Sequence, residues 1–126
     1  MTFSHPKRSI FESIIFVVVC AAILFFIANR YFVEQRYHRQ RVMYYQLLSL
    51  RQGIGMFKAI EKRNPKNLVE LASSTYTLPG DDKKRPYIQR RIVDPEGRVT
   101  DPFGNPYAYD RKRGWVGSST PGYSFW

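Results

Sequence analysis

An uninterrupted apolar run occupies positions 14–28 (IIFVVVCAAILFFIA), and Glu12 precedes it by two residues. Counted from Ile10, the hydrophobic stretch has 19 residues, which span roughly 28 Å at about 1.5 Å per residue and so reach across a bilayer core of about 30 Å. Positions 29–32 (NRYF) offer no small-x-small cleavage site, so we interpret the run as a retained anchor rather than a signal peptide. The pattern predicts a membrane-spanning helix over residues 10–29, after an N-terminal segment of residues 1–9.

Helical spacing continues beyond the apolar run, with no glycine or proline until Gly53. Apolar positions then recur at intervals of four and three residues, which places them on one face of a helix. They are Met43, Leu47, Leu50, Ile54 and Phe57. We expect residues 30–64 to form the water-exposed half of the same helix, with a globular core packed on this stripe. Gly53 and Gly55 are expected where another backbone comes close.

The remaining segment, residues 65–126, has short apolar runs between turn residues. Asn67 is expected to cap a second, short helix over 67–71. One hairpin is predicted from 87–93 to 98–100 through the turn DPEG, and another from 115–116 to 123–126. The turn at 101–106 is expected to lead into a strand at 107–109. The predicted fold class is α+β, with a long N-terminal helix packed on a small antiparallel C-terminal β-sheet.

Positive charge dominates the chain, with 20 lysine and arginine residues against 10 acidic ones and a net charge of +10. Such a field favours anionic lipid, nucleic acid or an acidic protein as partner. The basic cluster at 111–113 and the tyrosines could contact phosphates and stack on bases. We favour a structural role for Tyr107, Tyr109 and Tyr123 as packing residues of a thin sheet, because no nucleic-acid recognition motif accompanies the charge. Nucleic acid remains a weaker alternative.

The residues that catalysis or metal binding requires do not converge in this sequence. His5 and His38 flank the apolar run on opposite sides, and the single cysteine, Cys20, lies inside it. The pair Asp81 and Asp82 is interpreted as a solvated turn rather than a calcium site. We therefore expect no catalytic residue, no metal site and no cofactor. More arginines follow the run than precede it, a count that by itself favours a cytoplasmic C-terminus.

Four motifs follow one another in an order that is familiar from a known superfamily. They are SIFE at 9–12 before the apolar run, the helix end at 47–58, NPKNLVEL at 64–71 and DPFGNPY at 101–107. Together they resemble the type IV pilin-like superfamily, and within it the major pseudopilin of type II secretion systems. The last motif is similar to the pseudopilin turn usually written DPWGNPY, and the resemblance covers nearly the whole chain.

The resemblance implies a structural, non-enzymatic subunit of a bacterial inner-membrane assembly, with a cytoplasmic N-terminus and a periplasmic or extracellular head. This orientation replaces the one that the arginine count favours. Like subunits would bundle through their helices into a homo- or hetero-oligomeric filament, and the platform proteins of a secretion or pilus machine would be further partners. Glu12 would neutralise the amino group of a neighbouring subunit. The anchor positions are Ile14, Val18, Ala22 and Phe25, and the structural turn is Asp101, Pro102, Gly104, Asn105 and Pro106.

Two positions differ from the family pattern. Prepilin peptidase expects glycine and then phenylalanine where this chain has Lys7 and Arg8. If the chain is not cut, our hypothesis is that Arg8, four residues before Glu12, supplies the counter-charge. After Tyr109 the family gathers acidic calcium ligands, whereas this chain has Asp110 followed by RKR, so no calcium site is carried over. The alternatives are a single-span protein whose pilin-like domain does not polymerise, and a DNA-binding pilin for DNA uptake.

Overall fold

A computed structural model describes residues 6–126 of the chain, with side chains from Ser9 onward. The chain divides into two units, Met1–His38 and Arg39–Trp126, and we call the second unit the head. The helices are α1 (Pro6–Glu61), α2 (Leu68–Ser73) and a 3-10 turn (Arg90–Ile92). The strands are β1 (Thr75–Tyr76), β2 (Arg85–Pro86), β3 (Ala108–Asp110) and β4 (Trp115–Gly117). The α+β fold with one long N-terminal helix and a small C-terminal antiparallel sheet is confirmed.

The core of the head forms on the predicted stripe of α1. All five stripe side chains are buried, with at most 3% of their surface exposed. The residues packed around them are Leu68, Leu71, Tyr87, Ile88, Ile92, Val99, Tyr107 and Val116. Each large apolar side chain that is fully buried stabilises the fold by about 1.5–3 kcal/mol relative to leaving it in water. The helical period in the sequence therefore identified the packed face correctly.

Helix α1 ends three residues earlier than predicted, at Glu61 rather than at residue 64. Lys62 adopts a left-handed conformation with φ 59°, and its N–H donates to the carbonyl of Lys58 at 3.0 Å. A residue in this conformation closes a helix by satisfying one of its last carbonyls. Asn64 then contacts the turn between β3 and β4, where its Nδ2 donates to the carbonyl of Arg111 at 2.9 Å.

The two glycines of α1 have different surroundings. A Cβ on Gly53 would lie 2.9 Å from the carbonyl oxygen of Tyr87 and 2.6 Å from Ile88, so the predicted close backbone approach is confirmed there. For Gly55 the same prediction is wrong, because nothing lies within 4 Å of the corresponding position. Glycine in a helix costs about 1 kcal/mol relative to alanine. The packing of the head explains Gly53 and leaves Gly55 without a reason.

The capping prediction for α2 is confirmed. Asn67 precedes the helix, and its Oδ1 accepts a hydrogen bond from the N–H of Glu70 at 2.8 Å. Glu70 in turn reaches back to the segment that follows α1, where its carboxylate pairs with Arg63 at 2.7 Å. It also accepts a hydrogen bond from the backbone N–H of Lys66. This carboxylate therefore joins the segment between the two helices to α2.

The β-structure consists of two separate two-stranded antiparallel ribbons, β1 with β2 and β3 with β4. The predicted turn at 94–97 is confirmed, since the N–H of Gly97 donates to the carbonyl of Asp94 at 3.0 Å. Its predicted strand over 87–93 is wrong, because this segment contains the 3-10 turn and pairs only through an isolated bridge between Val93 and Val99. Tyr87 and Ile88 are used for burial against α1 rather than for strand pairing.

The predicted C-terminal hairpin is also wrong. β4 pairs instead with β3, the strand that precedes it in the chain, and Tyr109 lies opposite Val116. The basic turn at 111–113 connects the two strands. The Asp110 side chain stabilises that turn by accepting the N–H of Lys112 at 2.9 Å. Residues 120–126 form two consecutive turns instead of a strand, in which Tyr123 N–H donates to Thr120 and Trp126 N–H donates to Tyr123, each at 3.0 Å.

Candidate functional site

The apolar run lies on the part of α1 that belongs to the first unit. The predicted anchor side chains are all exposed, with 56% of the surface of Ile14, 60% of Val18 and 70% of Phe25 open, and Ala22 exposed as well. Within the described residues this is the one helix that is long and apolar enough to cross a membrane. A patch of this size is far larger than soluble monomers normally expose, so lipid or other helices are needed to cover it.

Glu12 is exposed on α1, just ahead of the apolar run. Close by, the hydroxyl of Ser13 donates to the carbonyl of Ser9 at 2.8 Å, so that hydroxyl is satisfied within its own helix. The hypothesis that Arg8 supplies a counter-charge lies outside the described side chains. The geometry thus places one carboxylate on the helix at the edge of the apolar surface.

The predicted structural turn is organised around the buried carboxylate of Asp101, of which 5% is exposed. Oδ1 accepts the backbone N–H groups of Phe103 and Asn105, each at 2.9 Å, and the hydroxyl of Thr120 donates to Oδ2. Gly104 has φ 87°, and its N–H donates to the carbonyl of Asp101 at 3.0 Å. The turn needs an aspartate at its first position and a glycine at its fourth for these reasons.

The other positions of the turn bind the C-terminal segment. The Nδ2 of Asn105 donates to the hydroxyl of Thr120 at 2.9 Å, and the carbonyl of Pro106 accepts the hydroxyl of Ser119. Pro102 is half-buried, and as a proline it presets the backbone at the second position of the turn. The five predicted turn residues therefore lie together and join residues 101–106 to residues 118–120.

Aromatic contacts attach this assembly to α1. Phe103 stacks on Tyr123 with ring centroids 5.5 Å apart, and the Arg39 guanidinium lies 5.9 Å from the centre of the Phe103 ring. Gln40 donates its side-chain N–H to the hydroxyl of Tyr123. The turn and the C-terminal segment are thus fixed to the first helical turns of the head.

Tyr107 ends the DPFGNPY motif inside the core. Its hydroxyl donates to Oε1 of Gln46 at 2.7 Å. Burial raises the pKa of the Tyr107 phenol well above its usual range, and the negative charge of Asp101 adds to the shift. Tyr109 is half-buried, and its hydroxyl donates to the carbonyl of Pro65 at 2.8 Å. The packing role predicted for the tyrosines at 107, 109 and 123 is confirmed. They pack against the core rather than on one thin sheet, because the strands form two separate ribbons.

Arg51 is a contact residue that sequence reasoning did not identify. Its guanidinium donates to the carbonyl of Val116 at 3.2 Å and to the backbone oxygen of Trp126 at 2.7 Å. It also lies 4.0 Å from the centre of the Trp115 ring. Arg51 thereby joins α1, β4 and the last turn. The sequence shows only an arginine next to the buried stripe. That position does not tell whether the side chain binds other parts of the head or lies in solvent.

The basic loops and acidic residues form no metal site in the part of the chain that the structure describes, where no group of three His, Cys, Asp or Glu side chains converges. The Asp81 carboxylate instead pairs with Arg85 at 2.7 Å and accepts the backbone N–H of Lys83 at 3.0 Å. Residues 111–113 are exposed between β3 and β4. The interpretation of Asp81 as a turn residue agrees with these contacts.

The chain combines one helix that is long and apolar enough to cross a membrane with a small α+β head. No protein-family model, curated protein or solved structure matches it. Its function is therefore inferred from its own residues and contacts.

Proposed function

We propose that the protein is a structural, non-enzymatic subunit of a pilin-like or pseudopilin filament, of the kind found in type II secretion or type IV pilus machinery. It would be held in the bacterial inner membrane by α1, with a cytoplasmic N-terminus and a head that is periplasmic or carried outward in the filament. The observation that carries this proposal is the apolar run of α1, in which the chain itself buries no side chain, while the later turns of the same helix form the core of the head.

Glu12 supports assembly rather than simple anchoring. A carboxylate costs about 2.5–3.5 kcal/mol near the bilayer centre and less toward the interface, so a chain that needed only an anchor would gain by replacing it. Paired with a cation, such a group is tolerated and can set the register between neighbouring helices. The cation would be the amino group of a neighbour, or Arg8 if the chain is not processed.

The processing question has a direct test. Mass spectrometry of the mature N-terminus distinguishes a cut chain, which offers a new amino group, from an uncut one. Lys7 and Arg8 stand where prepilin peptidase expects glycine and phenylalanine, so we expect the uncut form. A mature chain that starts at Arg8 would rule out the uncut form, on which the hypothesis for the Arg8 side chain depends.

Replacing Glu12 by alanine should reduce assembly at least tenfold and leave membrane insertion unchanged, because the register charge is lost while the apolar run is intact. Assembly is measured by co-isolation of two differently tagged full-length copies, and insertion by resistance to alkaline extraction of membranes. Glu34→Ala is the matched control, since it removes a carboxylate from the same helix beyond the apolar run. Equal co-isolation of Glu12→Ala and wild type would contradict the role of Glu12.

A membrane protein that does not polymerise is the second candidate, favoured by Lys7 and Arg8 in place of the processing signature. Cross-linking of neighbours through Cys20 would separate it from a filament subunit. A DNA-binding pilin is favoured only by the net charge of +10. The packing of three tyrosines into the head reduces the surface available for base stacking, and DNA binding that does not change with salt would remove this candidate.

A further inference from the structure

Two basic segments that are distant in the sequence lie side by side in the head. Asn64 connects them, because its Nδ2 donates to the carbonyls of Arg111 and Lys112 at 2.9 and 3.3 Å. The hydroxyl of Tyr109 adds a further bond, to the carbonyl of Pro65 at 2.8 Å. We call the exposed cations of these two segments the basic patch. They are Lys62, Arg63, Lys66, Arg111, Lys112 and Arg113.

The close approach of the two segments depends on Gly114, which directly follows the basic turn. A Cβ at this position would lie 2.6 Å from Oδ1 of Asn64, and the glycine has φ 66°. A residue with a side chain would therefore strain the backbone and push the turn away from Asn64. Like charges that are gathered on one surface repel one another and destabilise the folded chain. An anionic partner would offset that repulsion.

Most of the positive charge of the basic patch has no counter-charge within the head. Arg63 pairs with Glu70 at 2.7 Å, and Arg113 pairs with Asp110 at 3.7 Å. The other four cations form no ion pair among residues 9–126, whose side chains the structure describes. They are Lys62, Lys66, Arg111 and Lys112. These four side chains are available to bind carboxylates or other anions.

A groove of about 600 Å³ adjoins the basic patch, and Lys66 belongs to both. Much of its wall is aliphatic, and Val69 on α2 has 49% of its surface exposed. The aliphatic side chains are Leu68, Val69, Val99 and Pro106. Arg98 also lines the groove, but its guanidinium already pairs with Asp94 at 3.0 Å. The groove thus places an open aliphatic surface beside unpaired positive charge.

We propose that the basic patch and the groove together bind an acidic peptide segment of another protein, one that also carries aliphatic side chains. Its carboxylates pair with the four unpaired cations, and an aliphatic side chain covers Val69. Four of the 20 basic and two of the 10 acidic residues precede Arg39, which leaves the head with a net charge of +8. This charge attracts an acidic segment from a distance and repels a second head. The contact involves only residues of the head, so it goes beyond the proposed assembly function and does not depend on it.

The rings of the groove favour a peptide over nucleic acid. Tyr107 has 6% of its surface exposed, and its hydroxyl is bonded to Gln46 at 2.7 Å. Tyr109 is half-buried, and its hydroxyl is bonded to Pro65. Stacking of bases requires open aromatic faces, whereas aliphatic side chains of a peptide pack well against leucine, valine and proline.

Peptide binding to the full-length chain in a nonionic detergent tests the proposal through fluorescence anisotropy. The first labelled peptide repeats glutamate, glutamate, leucine; the second replaces glutamate by serine, and the third replaces leucine by serine. We expect the first peptide to bind at least tenfold more tightly than either of the others. Equal affinity of the first and third peptides would show that the groove takes no part, and equal affinity of the first and second would show the same of the basic patch. Either result would overturn the proposal.

Charge removal at two places separates the basic patch from the net charge of the chain. Lys66→Ser combined with Lys112→Ser should weaken binding of the first peptide at least tenfold. Lys83→Ser combined with Lys84→Ser is the matched control, because it removes the same charge from exposed lysines of the β1–β2 loop, and it should change affinity less than twofold. The melting temperature should not fall in either variant, since none of these side chains forms an ion pair within the described residues. Equal weakening in the two variants would overturn the proposal.

Val69→Ser tests the aliphatic part of the site. It should weaken binding of the leucine-containing acidic peptide at least threefold and leave binding of the peptide without leucine unchanged. Leu78→Ser is the control, since this side chain is also exposed, to 41%, and lies outside the groove. An unchanged affinity in Val69→Ser would contradict the proposed contact.

A single-stranded oligonucleotide of the same net charge as the acidic peptide identifies the class of ligand. Tighter binding of the oligonucleotide than of the peptide, with the same loss in the Lys66→Ser and Lys112→Ser variant, would make the basic patch a nucleic-acid site and overturn the proposal. Weaker binding would support it. Co-isolation of two differently tagged copies reports assembly independently, so a failure of peptide binding leaves the proposed function standing.

Discussion

Asp101 shows how one buried side chain can organise a region with little regular secondary structure. Its carboxylate accepts hydrogen bonds from two backbone N–H groups of its own turn and from the hydroxyl of Thr120. Hydrogen bonds to a charged group are worth about 1.5–3 kcal/mol each in net stability, more than bonds between neutral groups. Asp101 therefore fixes the turn and connects it to residues 118–120, as strand pairing connects segments elsewhere.

Replacing Asp101 by alanine should lower the free energy of unfolding by about 2–4 kcal/mol, because two part-buried N–H groups and the Thr120 hydroxyl lose their acceptor. The measurement is urea unfolding of the full chain in detergent, followed through the fluorescence of Trp115 and Trp126. Asp82→Ala is the matched control, since that carboxylate is exposed, and it should change stability by less than about 0.5 kcal/mol. Equal stability of the two variants would show that Asp101 is not structural.

Sequence reasoning was reliable at residues whose role is set by local geometry. The stripe from Met43 to Phe57, the Asn67 cap and the glycine of the 94–97 turn follow from helix period, capping and backbone conformation, and all are confirmed. Arg51 was missed because its partners lie 65 and 75 positions away in the chain. Gly55 was misjudged because the sequence does not tell which side of a helix the head covers.

At the scale of elements, the head is held together by links between the ends of helices and turns. The ribbons are two or three residues long, and a two-stranded ribbon alone is marginally stable. The predicted hairpins failed for this reason: Tyr87 and Ile88 gain more from burial against α1 than from pairing, and residues 123–126 gain more from ring contacts with the helix. Turn signals in the sequence located the bends but not the pairing of the strands.

The link between α1 and α2 should make stability depend on pH. The hydrogen bond from Arg63 lowers the pKa of Glu70 from 4.5 to about 2, with help from the backbone N–H of Lys66. A carboxyl whose pKa is lowered by folding stabilises the fold above its ordinary pKa, and this contribution is lost as the pH falls from about 4.5 to about 2. The urea midpoint of the wild type should therefore decrease over that interval, and more steeply than in Glu70→Gln.

Arg63→Gln provides the matched test from the other side of the pair. It removes the main cause of the lowered pKa while leaving the carboxyl in place, so its midpoint should also vary less with pH than the wild type does. Midpoints are compared at pH 5.5, where Glu70 is charged in both states, and at half-unit steps below. A Glu70→Gln slope equal to that of the wild type would mean that other carboxyls cause the dependence.

At the scale of the whole molecule, the described chain contains two surfaces that favour different surroundings, one apolar and one aqueous. The first unit exposes an apolar helix that water does not favour, and the head carries a net charge of +8 that keeps it in water. The buried core begins at Met43 and draws only on residues of the head. The anchor accordingly contributes nothing to that core, and the head should remain folded without it.

A chain that begins at residue 30 should therefore be soluble without detergent and should unfold in one cooperative transition, with a melting temperature within a few degrees of the full chain in detergent. The control begins at residue 48. It lacks Met43 and Leu47, which have at most 2% of their surface exposed. Removing a large buried side chain costs about 2–5 kcal/mol, and total stability is about 5–15 kcal/mol, so this shorter chain should be largely unfolded. Circular dichroism and sedimentation measure both outcomes. Aggregation or a non-cooperative melt of the chain from residue 30 would mean that the apolar helix is part of the folded core, in contradiction to the burial pattern.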